Sequence, residues 1–235
     1  MTRLTRVLLS TLVLTALSYP AWSQATWEGP TGVFLNPLAL TLAPEKAQAS
    51  AHYLNLQPYG TLTTFGGAYG ITDKWEAGIT HAALAVSGTQ DLTIFHTKYV
   101  VLPFKGQAPQ VAVGAILRDA SGGDTTSDFY LTATKVFPGS VPVIASLTLR
   151  STDGLGSGLF GKADDRTTEF GGFLGFQVTP KLILGAEVYE QPQVSPWQDL
   201  AARWTLDSST FVDAGLARLN DTFDNQLALA LTHQW

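Results

Sequence analysis

The chain has 235 residues, no cysteine and a formal net charge of −5 at pH 7. The absence of cysteine excludes a lipoprotein anchor and a disulfide framework. The mild acidity, without a basic run, argues against nucleic acid and against a polybasic membrane-surface binder. No segment after residue 23 carries the roughly 20 apolar residues that a membrane-spanning helix needs, so any membrane crossing must be made by strands.

The N-terminus has the pattern of a secretory signal peptide. Arg3 and Arg6 form a basic region, residues 7–17 are apolar, and a small-x-small cleavage site follows as AWS (21–23) or SQA (23–25). An uncleaved anchor is the alternative, but Pro20 and small residues follow the apolar stretch at once. We therefore expect residues 1–23 to be removed on export.

Residues 24–46 precede the first regular pattern of the chain. Their sequence, QATWEGPTGVFLNPLALTLAPEK, is broken by Pro30, Pro37 and Pro44. Proline lacks a backbone N–H and interrupts regular elements. We expect an extended N-terminal lead-in, either on the periplasmic side of a barrel or as a partial plug within it.

From residue 47 to residue 235 the chain alternates apolar and polar side chains with the period of two that is typical of strands. Only the stretch 45–54 competes as a helix. The alternation predicts twelve strands, an even number, over 48–55, 61–71, 74–82, 91–102, 109–118, 127–137, 142–151, 168–178, 181–189, 198–206, 210–218 and 225–235.

The predicted links between these strands alternate between short and long. The links near residues 73 and 180 are tight, whereas RDASGGDTTS (118–127) and STDGLGSGLFGKADDRT (151–167) are longer. Transmembrane barrels with an even number of strands have short turns on one side and longer loops on the other. The pattern therefore favours an all-β fold, an up-and-down antiparallel transmembrane β-barrel of about 12 strands, over a secreted β-sandwich.

The two faces of each predicted strand differ in polarity. In the segment 142–151, one face carries Val143, Ala145, Leu147 and Leu149, and the other carries Ser146, Thr148 and Arg150. An Arg or Lys facing lipid at the bilayer midplane costs about 2–4 kcal/mol, so this separation fits an apolar outer face and a polar lumen. A soluble sandwich would expose the charged face to solvent instead, and the alternation alone fits both folds.

Aromatic residues fall near the ends of the predicted strands, as in the two aromatic girdles of membrane barrels. The alternative is that they are the core aromatics of a sandwich. Tyr69, Trp75, Tyr99, Phe176, Trp204 and Trp235 are predicted near the side of the short turns, and Tyr53, Phe129 and Phe170 near the other side.

The C-terminal stretch LALALTHQW, which ends on an aromatic residue, resembles the C-terminal signal of Gram-negative outer-membrane β-barrel proteins. GAYGITDKWEAGI (67–79) is similar to their strand–turn–strand unit. GPTGVFLNPLALTLAPEKAQAS (29–50) is similar, over a shorter stretch, to the opening of the exopolysaccharide-associated outer-membrane barrel family. The first resemblance implies location in the outer membrane of a Gram-negative-type cell, and it implies that the barrel assembly machinery reads Trp235 as an assembly signal.

The sequence carries no catalytic constellation, and we expect no enzyme. His52, His81, His96 and His233 lack metal-ligand spacing. THAALAVSG (80–88) lacks the histidine–serine–asparagine signature of outer-membrane phospholipases. The acidic runs at 119–124 and 162–169 do not follow the spacing of a calcium loop, and no phosphate-cradling glycine loop is present. We therefore expect no metal and no cofactor.

The polar faces of the strands supply the candidate site. Two cross-strand ion pairs are expected, Arg203 with Asp213 in mid-barrel and Arg150 with Glu169 near the outer mouth. They form either a constriction that positions a solute or structural pairs that close a narrow barrel. The predicted lumen-lining residues are Glu76, His96, Lys98, Arg118, Arg150, Glu169, Glu187, Asp199, Arg203 and Asp213.

Three functions follow from this candidate site. The first is a porin-like passive channel for small polar solutes. The second is a non-conducting structural or accessory barrel, in envelope attachment or polysaccharide export, with a lumen blocked by side chains such as Trp27 and Phe34. The third is a lipid-modifying enzyme, which would need a serine paired with His81. The expected partners are outer-membrane lipid, the barrel assembly machinery and a small polar solute, and not nucleic acid.

Overall fold

The computed structural model describes residues 24–56, 60–86, 89–154, 161–191, 194–218 and 226–235. Within these ranges every regular element is a strand, and no helix is long and apolar enough to cross a membrane. Two short strands, β1 (Gln24–Ala25) and β2 (Thr31–Gly32), pair with each other. The remaining strands form the barrel: β3 (Ala47–Asn55), β4 (Gly60–Gly70), β5 (Trp75–Val86), β6 (Thr89–Leu102), β7 (Gln110–Ala120), β8 (Thr125–Phe137), β9 (Val143–Gly154), β10 (Lys162–Thr179), β11 (Leu182–Gln191), β12 (Val194–Thr205), β13 (Thr210–Arg218) and β14 (Gln226–Gln234).

The barrel is closed and antiparallel, and each of its twelve strands pairs with the next one along the chain. The last strand, β14, pairs with the first, β3, which removes both sheet edges. At this seam Trp235 N donates to Ala47 O at 3.1 Å, and Ala47 N donates to Trp235 O at 3.2 Å. The predicted up-and-down barrel of twelve strands is confirmed, and the sandwich alternative is wrong.

The links between strands differ from the prediction. Strand β5 extends to Val86, and β6 begins at Thr89. Strand β10 begins at Lys162, so the acidic stretch 162–169 is strand rather than loop. The expected alternation of short and long links is therefore largely lost, because backbone pairing continues beyond the apolar part of the strands. The expected signal peptide lies outside the described residues, as do the central parts of the predicted links at 87–88, 155–160, 192–193 and 219–225.

The two ends of the barrel are named here by the position of the C-terminus. The C-terminal rim contains Trp235 and the turns 71–74, 103–109, 138–142, 180–181 and 206–209, and the opposite rim contains the other links. In one of these turns, Asp207 Oδ1 accepts from Ser209 N at 2.8 Å and from Thr210 N at 2.9 Å. The hydrogen bond from Ser209 N is the main cause that holds the pKa of the Asp207 carboxyl below its usual range.

The outer face of the barrel exposes large apolar side chains on every strand. Leu147 is 73% exposed and Leu200 67%, and the nine aromatic residues predicted for the girdles are between 39% and 60% exposed. Soluble monomers rarely expose contiguous apolar patches larger than several hundred Å², whereas a transmembrane barrel presents such a band to lipid.

The inner face is less polar than the alternation predicts. One apolar cluster lies toward the opposite rim, and a second lies toward the C-terminal rim. Wall residues of the first include Leu54, Leu62, Leu84 and Leu92, and wall residues of the second include Ile144, Phe173, Ile183 and Phe211. Buried charged side chains lie beside both clusters, so the lumen wall resembles a protein core that contains charged groups.

Residues 24–42, called the plug below, lie inside the barrel. All of them are buried except Thr41, which is partly buried, and the exposed residues 43–46 connect the plug to β3. The segment is therefore not an extended lead-in outside the barrel, and of the two expected placements the structure shows the one within the lumen.

Candidate functional site: the plugged lumen

The plug has a compact backbone of its own. Thr26 N donates to Pro30 O at 2.8 Å, and Gly29 N donates to Thr26 O at 2.9 Å, which closes a tight turn. Gly29 has a φ of 111°, and a Cβ at this position would lie 2.5 Å from Thr80 Oγ1 and 2.6 Å from His96 Nε2. Glycine is therefore required both by the backbone of the turn and by the wall beside it.

Apolar side chains of the plug complete both clusters of the lumen wall. Trp27, Phe34 and Leu35 pack in the cluster near the opposite rim, and Val33, Leu38 and Leu40 pack in the one near the C-terminal rim. Trp27 is 1% exposed. Burial of each large apolar side chain contributes about 1.5–3 kcal/mol, so six of them favour the docked plug by roughly 10 kcal/mol before the cost of ordering the segment is subtracted.

The first polar anchor of the plug is Glu28. Its Oε1 accepts from Arg118 Nε at 2.8 Å, from Arg118 Nη2 and from Arg150 Nη2 at 3.0 Å. Asp128 lies on β8 between the two arginine strands, and it accepts from Arg118 Nη1 at 3.0 Å and pairs with Arg150 Nη2. All four side chains are buried, so each charge depends on these partners.

The second anchor is a carboxylate of the wall that binds the plug backbone. Glu187 Oε1 accepts from Phe34 N at 2.7 Å, and its Oε2 accepts from Leu35 N at 3.0 Å and from Asn36 N at 2.8 Å. Asn36 Nδ2 adds a fourth bond at 3.1 Å. Three consecutive N–H groups of the plug, which would otherwise be buried without an acceptor, are thus satisfied by one side chain.

The third anchor joins the plug to an ion pair near the C-terminal rim. Lys98 Nζ lies 3.1 Å from Glu76 Oε1 and donates to Leu38 O at 2.9 Å. Glu76 accepts from Thr31 N and from Leu42 N, both at 2.9 Å. This pair therefore holds two separate stretches of the plug at once.

The other predicted lumen residues also lie on the inner face. Arg203 Nε donates to Asp213 Oδ1 at 2.8 Å and Arg203 Nη2 to Asp213 Oδ2 at 3.0 Å, across adjacent strands. Asp199, on the strand of Arg203, is opposite Glu187 in the register. His96 is buried beside Gly29. All ten residues predicted to line the lumen are buried: Glu76, His96, Lys98, Arg118, Arg150, Glu169, Glu187, Asp199, Arg203 and Asp213.

The expected pair between Arg150 and Glu169 does not form. The two residues are opposite each other in the register of β9 and β10, but the Arg150 guanidinium lies over the Tyr189 ring at 5.4 Å and bonds to Glu28. Glu169 instead accepts from Tyr189 Oη at 2.6 Å. The prediction is wrong because the plug offers Arg150 a buried carboxylate that the strands alone do not reveal.

Sequence reasoning missed Asp128 and the two plug residues Glu28 and Thr31. Asp128 has the same parity as Thr126 and Tyr130, whose side chains are also buried on the inner face. It lies within the predicted strand 127–137, next to the outward-facing Phe129, so the alternation alone would have placed it in the lumen. Glu28 is the only acidic residue between residues 24 and 44, and such a lone acid in an apolar, proline-rich segment is a usable signal.

Two cavities beside the docked plug indicate what size of solute the closed barrel can hold. A cavity of about 20 Å³ lies beside Glu187, Arg203 and Asp213, which is room for no more than about one water molecule. A wider cavity of about 550 Å³ lies at the C-terminal rim below the plug, and Leu42, Lys46 and Trp235 contribute to its lining. A small solute fits the rim cavity and not the cavity beside Glu187, Arg203 and Asp213.

His81, the histidine considered for lipid chemistry, lies on the outer face with its Nε2 3.7 Å from Asp91 Oδ1. His233, also on the outer face, stacks on Trp235 with ring centroids 5.6 Å apart. Within the part of the chain that the structure describes, no group of three His, Cys, Asp or Glu side chains could hold a metal ion.

The fold is similar to that of solved outer-membrane porins. A KdgM porin has 11% sequence identity and a TM-score of 0.61, with 79% of this chain and 98% of that chain covered. Omp33 of Acinetobacter baumannii has 10% identity and a TM-score of 0.56, with 81% and 97% covered. A NanC porin has 8% identity and a TM-score of 0.57, with 80% and 98% covered. At these identities the likeness concerns the fold alone.

No curated protein matches the chain. A family model described as "Protein of unknown function (DUF3034)" matches residues 24–226. The match includes the plug as well as nearly all of the barrel. The chain therefore belongs to the DUF3034 family.

Proposed function

We propose that this protein is a porin-like barrel of the Gram-negative outer membrane, closed at rest by its own plug. Small polar solutes pass when the plug is displaced. The closed barrel with its apolar outer face supports the membrane location, because only closed barrels and helices satisfy all backbone groups within lipid. The closed state is supported by the buried plug, which is anchored to the wall through Glu28, Glu187 and Glu76.

The anchors explain why the closed state dominates and where it is most sensitive. The plug joins the barrel through the exposed residues 43–46, so its displacement does not require the barrel strands to separate from one another. Its apolar contacts are spread over two clusters, whereas Glu187 alone binds three consecutive backbone N–H groups. Charge-assisted hydrogen bonds contribute about 1.5–3 kcal/mol each, so a change at Glu187 should shift the closed–open equilibrium toward the open state.

The test is single-channel conductance of the refolded chain in a planar bilayer. The wild type is expected to be silent for most of the recording, with rare openings. Glu187→Gln keeps the size of the side chain but removes its charge, and we expect openings to be at least about tenfold more frequent, the factor for about 1.4 kcal/mol. Glu190→Gln, an exposed change on the same strand, is the matched control and should behave like the wild type.

Two outcomes would contradict the proposal. A wild-type chain with steady, large conductance would show that the plug does not close the lumen. A Glu187→Gln variant whose openings are no more frequent than those of the Glu190→Gln control would show that this anchor does not hold the plug.

The second candidate function is a non-conducting structural or accessory barrel. The two apolar clusters favour it, because they fill the lumen as a core would. A single introduced thiol can separate the two functions, because the chain has no cysteine of its own. Ser146 lies in a hydroxyl cluster under the plug, since its neighbour Thr132 donates to Pro37 O at 3.0 Å. If a water-soluble maleimide labels the thiol of the Ser146→Cys, Glu187→Gln variant while the bilayer stays silent, the accessory function is supported.

A further inference from the structure

Two arginines of the lumen wall point at one carboxylate of the plug. Arg118 lies on β7 and Arg150 on β9, and Asp128 lies on β8 between them. Asp128 is the wall carboxylate that pairs with both arginines, and Glu169 lies opposite Arg150 on β10 without pairing with it. Glu28 of the plug supplies the second carboxylate that the two arginines bind.

The donors converge on a single oxygen atom of the plug. Glu28 Oε1 accepts from Arg118 Nε at 2.8 Å, from Arg118 Nη2 and from Arg150 Nη2 at 3.0 Å. Guanidinium groups bind carboxylates through several N–H donors at once, which gives both strength and geometric specificity. The same donors would bind the carboxylate of another molecule if Glu28 left.

The wall also holds donors that Glu28 and Asp128 do not use. Arg150 Nε and the hydroxyl groups of Thr126 and Tyr130 are buried and have no hydrogen-bond partner among the described protein atoms. Thr126 and Tyr130 flank Asp128 on the inner face of β8, so they belong to the same part of the wall. This region therefore offers more hydrogen-bond donors than the plug engages.

We propose that Arg118 and Arg150 form a carboxylate-binding site in the lumen wall, and that Glu28 occupies this site in place of a solute while the plug is docked. Solutes that carry a carboxylate are then the class that the lumen binds, in competition with the plug. The carboxylates Asp128 and Glu169 lie beside the arginines, so they disfavour a phosphate group, with its charge of about −1.5 to −2 at pH 7, more than a carboxylate. The role in transport rests on the proposed function, but the binding site does not.

The test is whether acetate replaces the side chain that Glu28→Ala removes. The Glu28→Ala protein is purified from the outer membrane in detergent, and its thermal unfolding midpoint is measured in sodium acetate and in sodium chloride of equal ionic strength. Because a ligand that binds only the folded state stabilises it, we expect a saturable rise of about 2–4 °C with acetate over chloride. The wild type, whose site is occupied by Glu28, should show no such rise.

The double variant Glu28→Ala, Arg150→Gln is the matched control. It leaves one arginine beside Asp128 and Glu169, so the wall has no excess positive charge at the site, and the effect of acetate should disappear. An acetate effect that persists in the double variant would overturn the assignment to these two arginines. No acetate effect in Glu28→Ala, or an equal effect of inorganic phosphate, would overturn the carboxylate site.

If Glu28→Ala does not fold, a variant that keeps the wild-type charges provides a second measurement. In a Ser146→Cys variant, acetate must compete with Glu28, so it should speed the maleimide labelling of the introduced thiol relative to chloride. The intramolecular carboxylate has a high effective concentration, and the effect is therefore expected only at high acetate concentration. A labelling rate that is the same in acetate and chloride would contradict the proposal. Neither experiment measures conductance. If the protein binds acetate but never conducts, the proposed transport function is contradicted and the binding site is not.

Discussion

At the scale of single residues, the alternation of the strands predicts which charges face the lumen but not all of their partners. Arg203 and Asp213 are equally distant from the turn at 206–209, so their pairing follows from the register of adjacent strands. Arg150 and Glu169 are also opposite each other, yet Arg150 binds Glu28, which is 122 residues away in sequence. Pairs made within the sheet were predictable, and pairs made with the plug were not.

The ion pair of Arg203 and Asp213 leads to a prediction about stability. Arg203→Ala leaves a buried carboxylate without its partner close to Asp199 and Glu187, and breaking a buried pair in this way costs about 3–5 kcal/mol. Arg203→Met combined with Asp213→Leu removes both charges and should cost much less. The free energy of unfolding in urea, measured in detergent micelles, checks both expectations.

The exposed pair of His81 and Asp91 provides the control for this prediction. Its atoms are 3.7 Å apart on the outer face, and an exposed pair contributes no more than about 1 kcal/mol. His81→Ala should therefore leave the free energy of unfolding nearly unchanged. A loss in Arg203→Ala as small as that in His81→Ala would show that the buried pair is not a stabilising contact.

At the scale of elements, the twelve barrel strands were predictable because each carries its own local signal, a period of two between turn residues. The plug has no such signal. Its prolines indicate only that it is neither a regular helix nor a central strand, and its position depends on contacts with several distant strands that no local pattern contains. The apolar inner residues were missed for the same reason, because the plug that packs against them was not foreseen.

The outer face of the strands leads to a prediction about membrane insertion. Leu147 is 73% exposed in the middle of the outward face of β9. An Arg at mid-bilayer depth on the lipid face destabilises a barrel by about 2–4 kcal/mol, so Leu147→Arg should lower the folded fraction in lipid vesicles, measured along a urea series. Ser208→Arg, in an exposed turn at the C-terminal rim, is the control. Equal folding of the two variants would contradict the assignment of this face to lipid.

At the scale of the whole molecule, the protein consists of a barrel wall and a plug that share one interior. The wall contributes two apolar clusters and buried charged side chains, and the plug packs against the clusters and pairs with the charges. A barrel alone would leave Glu187 without the N–H groups that it binds and would leave Arg118 and Arg150 to share Asp128, and a plug alone would have no core. We therefore propose that closure is the resting state of the molecule and that passage requires movement of the plug.

The most direct test of this account is to cross-link the plug to the wall. Ala39 of the plug is a neighbour of Thr134 of the wall, since Ala39 N donates to Thr134 Oγ1 at 2.8 Å, and the chain contains no cysteine of its own. Formation of a disulfide between cysteines introduced at these two positions is verified by mass spectrometry before recording. Ala39→Cys and Thr134→Cys are introduced together with Glu187→Gln, and single-channel conductance is recorded before and after reduction. The account predicts silence in the oxidised protein and frequent openings once the disulfide is reduced. Equal conductance in the two states would show that solutes do not need the plug to move, and would contradict the central claim.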